Sequence, residues 1–138
     1  MSLRLISVAT LKMKQNQDTL RKLFELREEF MTAICEHVPE AYPEWPVDFS
    51  NKKNQQALRE TAFRSMEELF EALLHLKNWK SHREGTVEFD RSEFLEEMID
   101  AFNYYLAILV MAGVDSKEFM QAFKDKHDII MGRLVKEL

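Results

Sequence analysis

Asp90-Arg91-Ser92-Glu93-Phe94-Leu95-Glu96-Glu97-Met98-Ile99-Asp100-Ala101-Phe102-Asn103-Tyr104-Tyr105-Leu106 is the stretch whose reading decides the fold. Its apolar positions Phe94, Leu95, Met98, Ile99, Phe102, Tyr105, Leu106 and Leu109 recur at helical spacing. Asp90 followed by Glu93 makes a capping-box-like start. Glu97 and Asp100 fall on a second side, and that side continues through Tyr104, Ile108 and Met111. Acids on a solvated face are normally followed by more polar residues. Here the stripe turns apolar, which predicts a helix buried on more than one side with its two carboxylates facing an interior cleft.

A second acidic pair lies upstream, in Glu68-Leu69-Phe70-Glu71. In both pairs the acids are spaced i, i+3, about one turn apart on one side of a helix. The host segment is a long helical run predicted from Ser50 to about Lys80, with Leu58, Phe63, Met66, Leu69, Phe70, Leu73 and Leu76 as its apolar stripe. Residues 81–90 read as a polar connection turning at Gly85, so the two helices are expected to pack antiparallel and to bring the pairs together.

The remaining elements follow from the same periodicity. Leu20, Leu23, Phe24, Arg27, Phe30, Met31 and Ile34 predict a first helix beginning near Asp18 or Thr19 and stopping before Pro39. Residues 1–15 read as an N-terminal arm: a strand-like piece, an extra turn of helix, or a segment ordered in an oligomer. Pro39, Pro43 and Pro46, with Tyr42, Trp45 and Phe49, define a non-helical connection that packs on the body. Gly113 ends the third helix, and Asp115 with Glu118 starts a fourth carrying Phe119, Met120, Phe123, Ile130, Met131, Leu134 and Val135. The expectation is one all-α domain over residues 1–138, a four-helix, bundle-like arrangement.

Composition narrows the chemistry. With 138 residues, three Gly and three Pro, the chain has few helix breakers and enough length for one core. A net charge of −5 disfavours general binding to nucleic-acid backbones, although a Mg²⁺-bound polyphosphate can still approach acidic residues. Cys35 stands alone, which excludes an internal disulfide and a thiolate zinc site and points to a cytoplasmic location. The apolar N-terminal residues are too interrupted for a membrane span. None of His37, His75, His82 or His127 has an acid three residues before it, so the Glu-x-x-His set of di-iron bundles is missing. Four clustered carboxylates form a hard, oxygen-rich donor set suited to Mg²⁺, with Mn²⁺ as a substitute. Either pair alone is a weak signal, because Glu-x-x-Glu recurs on many exposed helices.

Taken together, Met66-Glu-Glu-Leu-Phe-Glu-Ala-Leu-Leu-His-Leu-Lys-Asn-Trp-Lys80, then Phe94 to Leu106, then Ala112-Gly-Val-Asp-Ser-Lys-Glu-Phe119 resemble the all-α nucleoside triphosphate pyrophosphatases. The nearest branch is that of the MazG-related dimeric dUTPases and phage-type dCTPase/dUTPases, and the resemblance spans about residues 20–135. It implies that Glu68, Glu71, Glu97 and Asp100 hold Mg²⁺ on a triphosphate, and that a water oriented by metal or by a Glu attacks the α-phosphorus. A pyrimidine deoxynucleotide such as dUTP or dCTP would give the monophosphate and pyrophosphate. Lys126 and Arg133 occupy positions where the family carries phosphate-gripping cations, Trp79 and Lys80 would border the nucleotide, and Glu67 either orients water or faces solvent. Arg27 stands where the family often has a Gln for pyrimidine recognition. Asn103 replaces the usual His, and His127 and Ile130 replace Asn, so the metal-binding core is kept while the positions that read base and sugar differ. Family resemblance also implies a homo-oligomer, dimer or tetramer, and no membrane partner. A non-catalytic nucleotide- or protein-binding member of the same fold, or a broad house-cleaning enzyme, is the alternative.

Overall fold

The computed structural model describes the backbone of residues 3–138 and the side chains from residue 19 onward. It is all-α: α1 spans Leu3–His37, α2 Lys52–Leu73, α3 Arg91–Met111 and α4 Ser116–Glu137, with no strand among the described residues. The start expected at Asp18 or Thr19 is corrected, since both lie within α1. Leu-, Lys- and Gln-rich sequence continues helically upstream of them without a breaker. The side chains of the expected N-terminal arm, residues 1–15, lie outside the described set.

Three of the helix starts have side-chain caps. The Asn51, Asp90 and Asp115 side chains accept from the backbone N–H of Asn54 (3.0 Å), Glu93 (3.0 Å) and Glu118 (2.8 Å). The first of these replaces the expected start at Ser50, whose backbone and hydroxyl both bond Asp48 instead. Helix α2 also ends well before Lys80. Turn bonds from His75 and Leu76 back to Ala72 and Leu73 close it, and Asn78 then ties down the connection. Its side chain donates to Val87 O (2.8 Å) and accepts from Val87 N (2.9 Å). Lys77 to Lys80 therefore sit in a loop held to residue 87, not on a helix.

α2 and α3 are the most closely packed pair, and they run antiparallel. Ser65 Oγ donates to Ala101 O (2.8 Å), while just past the end of α2 His75 Nδ1 lies 3.8 Å from Glu93, nearer the start of α3. α1 crosses α3, and the core lies between them: Phe24, Met31, Val47, Leu106, Ala107, Val110 and Met111. The proline connection is fastened to this core, as Val47 N–H donates to Met111 O (2.8 Å) and Trp45 Nε1 donates to Glu28 (3.1 Å).

Gly113 turns the chain between α3 and α4 with φ +76°, a conformation that costs an L-residue about 1–2 kcal/mol. A Cβ there would also meet Pro46 Cβ at 2.9 Å. Gly113→Ala is therefore expected to destabilise the fold by about 2 kcal/mol or more, read from denaturant unfolding curves. A neutral result would mean that this corner repacks freely.

α4 leaves α3 at 106° and packs, among the described residues, against α1. It has no buried residue. Much of the stripe expected to form the core of α3 is also open, including Leu95, Ile99, Phe102 and Tyr105. The same is true of Phe63, Met66, Leu69, Phe70 and Leu73 on α2. The reason is geometric: among the described residues α1 packs on α3 but not on α2, and α4 packs on α1 rather than along the α2–α3 pair. Among the described residues no single helix is long and apolar enough to cross a membrane.

Candidate metal centre and cleft

The antiparallel α2–α3 pair sets the acidic site. With Ser65 opposite Ala101, Glu68 one turn along α2 faces Asp100 and Glu97 on α3. One carboxylate oxygen from each of Glu68, Glu97 and Asp100 lies within 4.8 Å of the others. Glu71 lies beside this group, near enough for its carboxylate to raise the proton affinity of both Glu68 and Glu97. Of the two pairs read from the sequence, Glu68, Glu97 and Asp100 are brought together, with Glu71 next to them.

The electrostatics are those of a site short of positive charge. Partial burial, then the Glu71 carboxylate, then Asp100 and Glu97 push the Glu68 carboxyl above its ordinary value of 4.5. Burial first, then Glu71 and Asp100, push Glu97 in the same direction, and His75 beside it offsets part of this. Glu97 Oε2 is shut away from solvent and has no hydrogen-bond partner among the described residues. A buried carboxylate oxygen of this kind is costly unless a cation or proton meets it. The donor set is all oxygen, carries up to four negative charges and has no sulfur or nitrogen ligand. That chemistry fits Mg²⁺ or Mn²⁺.

These shifts have a consequence for stability. Between 4.5 and the raised values, the folded chain binds more protons at Glu68 and Glu97 than the unfolded chain does. Stability must then fall as pH rises through that window and be regained as pH drops toward 4.5. Asp48, lowered by its bonds from Ser50, acts oppositely but only below 3.8. In chelator, the melting temperature is expected to rise on going from neutral pH to mildly acidic pH. Saturating Mg²⁺ should reduce that rise, because metal and protons compete for the same oxygens. Glu97→Gln should flatten the profile in chelator, and an unchanged slope in that variant would exclude the acidic cluster as its source.

Beside the carboxylates runs a cleft of about 870 Å³ between α1, the 40–43 connection, α2 and α3. Glu68, Asp100, Asn103 and Arg27 line it, as do Arg64, Tyr42 and Tyr104. Arg64 and the two tyrosines were not singled out from the sequence. Arg64 had a usable signal, standing four residues before Glu68 and so on the same helical face. Tyr42 had none, as its placement depends on how the proline connection folds back. The other substrate-binding candidates are elsewhere. Trp79 is 73% exposed in the 74–90 connection with Lys80 Nζ over its ring at 5.3 Å, and neither lines the cleft. Lys126 and Arg133 are exposed on α4, outside the cleft of this chain. His127 and Ile130 are exposed there as well, and Glu67 borders a smaller recess with Glu60, Phe63, Arg64 and Tyr104.

Comparison with protein-family models, with curated proteins and with solved structures finds no match in any of the three.

Proposed function

We propose that this chain is a Mg²⁺-dependent nucleoside triphosphate pyrophosphohydrolase, converting a (d)NTP and water to the (d)NMP and pyrophosphate. The observation that carries the reading is the clustering of Glu68, Glu97 and Asp100, with Glu71 beside them, where Glu68 and Asp100 line a cleft of nucleotide size. Facing Glu-x-x-Glu and Glu-x-x-Asp on antiparallel helices is also the arrangement that resemblance to the MazG-like and dimeric dUTPase-type fold implies. Glu68, Glu97 and Asp100, with Glu71, would hold the metal, which when bound supplies charge neutralisation for the polyphosphate. The side chains do the rest. A carboxylate of the group can accept a proton from an attacking water, and the raised proton affinity of Glu68 and Glu97 favours that role. Arg64, one turn from Glu68 on the cleft wall, offers a guanidinium to phosphate oxygens.

A panel of (d)NTPs incubated with Mg²⁺ or Mn²⁺ and assayed for pyrophosphate tests this. Release of pyrophosphate from at least one nucleotide, dependent on metal, is expected. Tight nucleotide binding with no product would instead establish a sequestering protein on the same scaffold.

The second part of the proposal is a homo-oligomer. The chain exposes 11569 Å², against about 7,500 Å² for a compact monomer of its mass. Among the described residues the excess includes the open apolar side chains of α2, α3 and α4. Lys126 and Arg133 on α4 then have a route to an acidic site, that of a partner copy.

A further inference from the structure

Arg27 is the most unusual buried group in the molecule. It is 8% exposed on α1, within the wall of the cleft. Its guanidinium carbon lies over the Phe30 ring at 4.8 Å and over the Tyr104 ring at 5.4 Å. One hydrogen bond is made, from Nη2 to Tyr42 Oη at 3.0 Å. Nε is shut away from solvent with no partner. No carboxylate pairs with it among the described residues. A guanidinium has five N–H donors and no acceptor, so a buried one with a single bond is left far short of its capacity.

We infer that Arg27 reads the nucleobase, selecting an edge with two adjacent acceptors, as in cytosine or guanine, over the uracil or thymine edge. This rests on the nucleotide reading proposed above. The axial order supports it: Glu68 and Asp100 mark the metal end of the cleft, while Tyr104, one turn beyond Asp100 on α3, carries Arg27 away from them. A triphosphate anchored at the acids would project its base toward that end. The aromatic rings beside the guanidinium favour a flat ligand, and its burial disfavours a hydrated phosphate. Cytosine presents N3 and O2 side by side, and guanine O6 and N7, each matching a pair of guanidinium donors. Uracil and thymine present an N3–H between two carbonyls, and that donor would face a group unable to accept. An amide side chain could turn to match either pattern, but Arg27 cannot.

The test compares kcat/KM of the wild-type protein with Mg²⁺ for dCTP, dGTP, dUTP, dTTP and dATP, from pyrophosphate release, alongside calorimetric binding of the same five. We expect dCTP or dGTP to exceed dUTP and dTTP by about tenfold or more, the discrimination of one good bidentate pair. Arg27→Gln should erase the preference while still using a triphosphate, and Arg27→Lys, which keeps the charge without the planar fork, should also lose it. Circular dichroism reports whether either variant folds, and the wild-type panel decides the matter if neither does. Equal use of all five bases, or dUTP preferred, overturns the inference while leaving the pyrophosphohydrolase standing. So does an equal fall with every nucleotide in Arg27→Gln, the mark of a phosphate contact. If none of the five is bound or hydrolysed, the proposed function fails and this inference fails with it.

Discussion

Glu71→Gln and Asp100→Asn are each expected to lower pyrophosphate release by about a hundred- to a thousandfold, the scale on which removal of a single preorganised charge-stabilising group acts. Both changes keep side-chain size and helix propensity nearly constant, so the far-ultraviolet dichroism of the four helices should be unchanged. The distinguishing readout is stability. Glu71 lies beside Glu68 and Glu97, and its charge is the leading neighbouring cause of the raised proton affinity at each. Neutralising it relieves a repulsion that exists only in the folded state. Without metal, Glu71→Gln should therefore melt higher than wild type at neutral pH while losing nearly all activity. Its stabilisation by Mg²⁺ should shrink in parallel, since a ligand at free concentration c that binds only the folded chain stabilises it by RT ln(1 + c/Kd), which falls as affinity falls. A variant that melts lower and keeps its Mg²⁺ response would mean that Glu71 is a packing residue. Full activity in either variant, with every nucleotide tried, would remove the metal-site assignment.

The acidic site was legible in the sequence because it depends on local spacing and one packing relation. Glu-x-x-Glu and Glu-x-x-Asp fix which faces of α2 and α3 carry acid, and a polar connection between two successive helices favours their antiparallel packing. Asp90, Asp115 and Gly113 were legible for a similar reason, as caps and left-handed turns use few residue types. The end of α2 was not. Leu74-His75-Leu76-Lys77 has ordinary helix formers, and what stops the helix is followed by a tie between Asn78 and Val87, nine positions apart. Arg27 was visible as a charged residue inside an apolar stripe, but its isolation depends on Tyr42 and Tyr104, which come from a connection and from α3. Periodicity also overstated the core. It identified the apolar stripes of α2, α3 and α4 correctly as apolar, yet it carries no information on whether the same chain or another covers them.

That last point leads to the second large effect. In solution the protein is expected to show at least twice the 16.4 kDa mass of one chain by light scattering. The reason is the distribution of apolar surface more than its total amount. Scattered exposed apolar residues are normal, but contiguous ones mark an interface. On α2, Met66, Leu69, Phe70 and Leu73 are all open, with Phe70 64% exposed, within two turns. On α4, Ile130, Met131, Leu134 and Val135 are open along a helix with no buried residue. A two-fold assembly can place such faces against their own copies, since the same patch then serves both sides. Charge reversal in the α2 patch, Phe70→Glu, should shift the mass toward that of one chain, whereas the equally exposed Trp79→Glu, in the connection that lines no cleft, should not. The activity of Phe70→Glu then separates two arrangements. If Lys126 and Arg133 reach the carboxylates of a partner, the monomeric variant loses turnover although its own Glu68, Glu71, Glu97 and Asp100 are intact. In that case, mixing it with an excess of Glu71→Gln chains that still dimerise should restore part of the activity. A wild-type protein that scatters as a single chain at all concentrations would rule out the shared site and leave α4 without a role in the reaction.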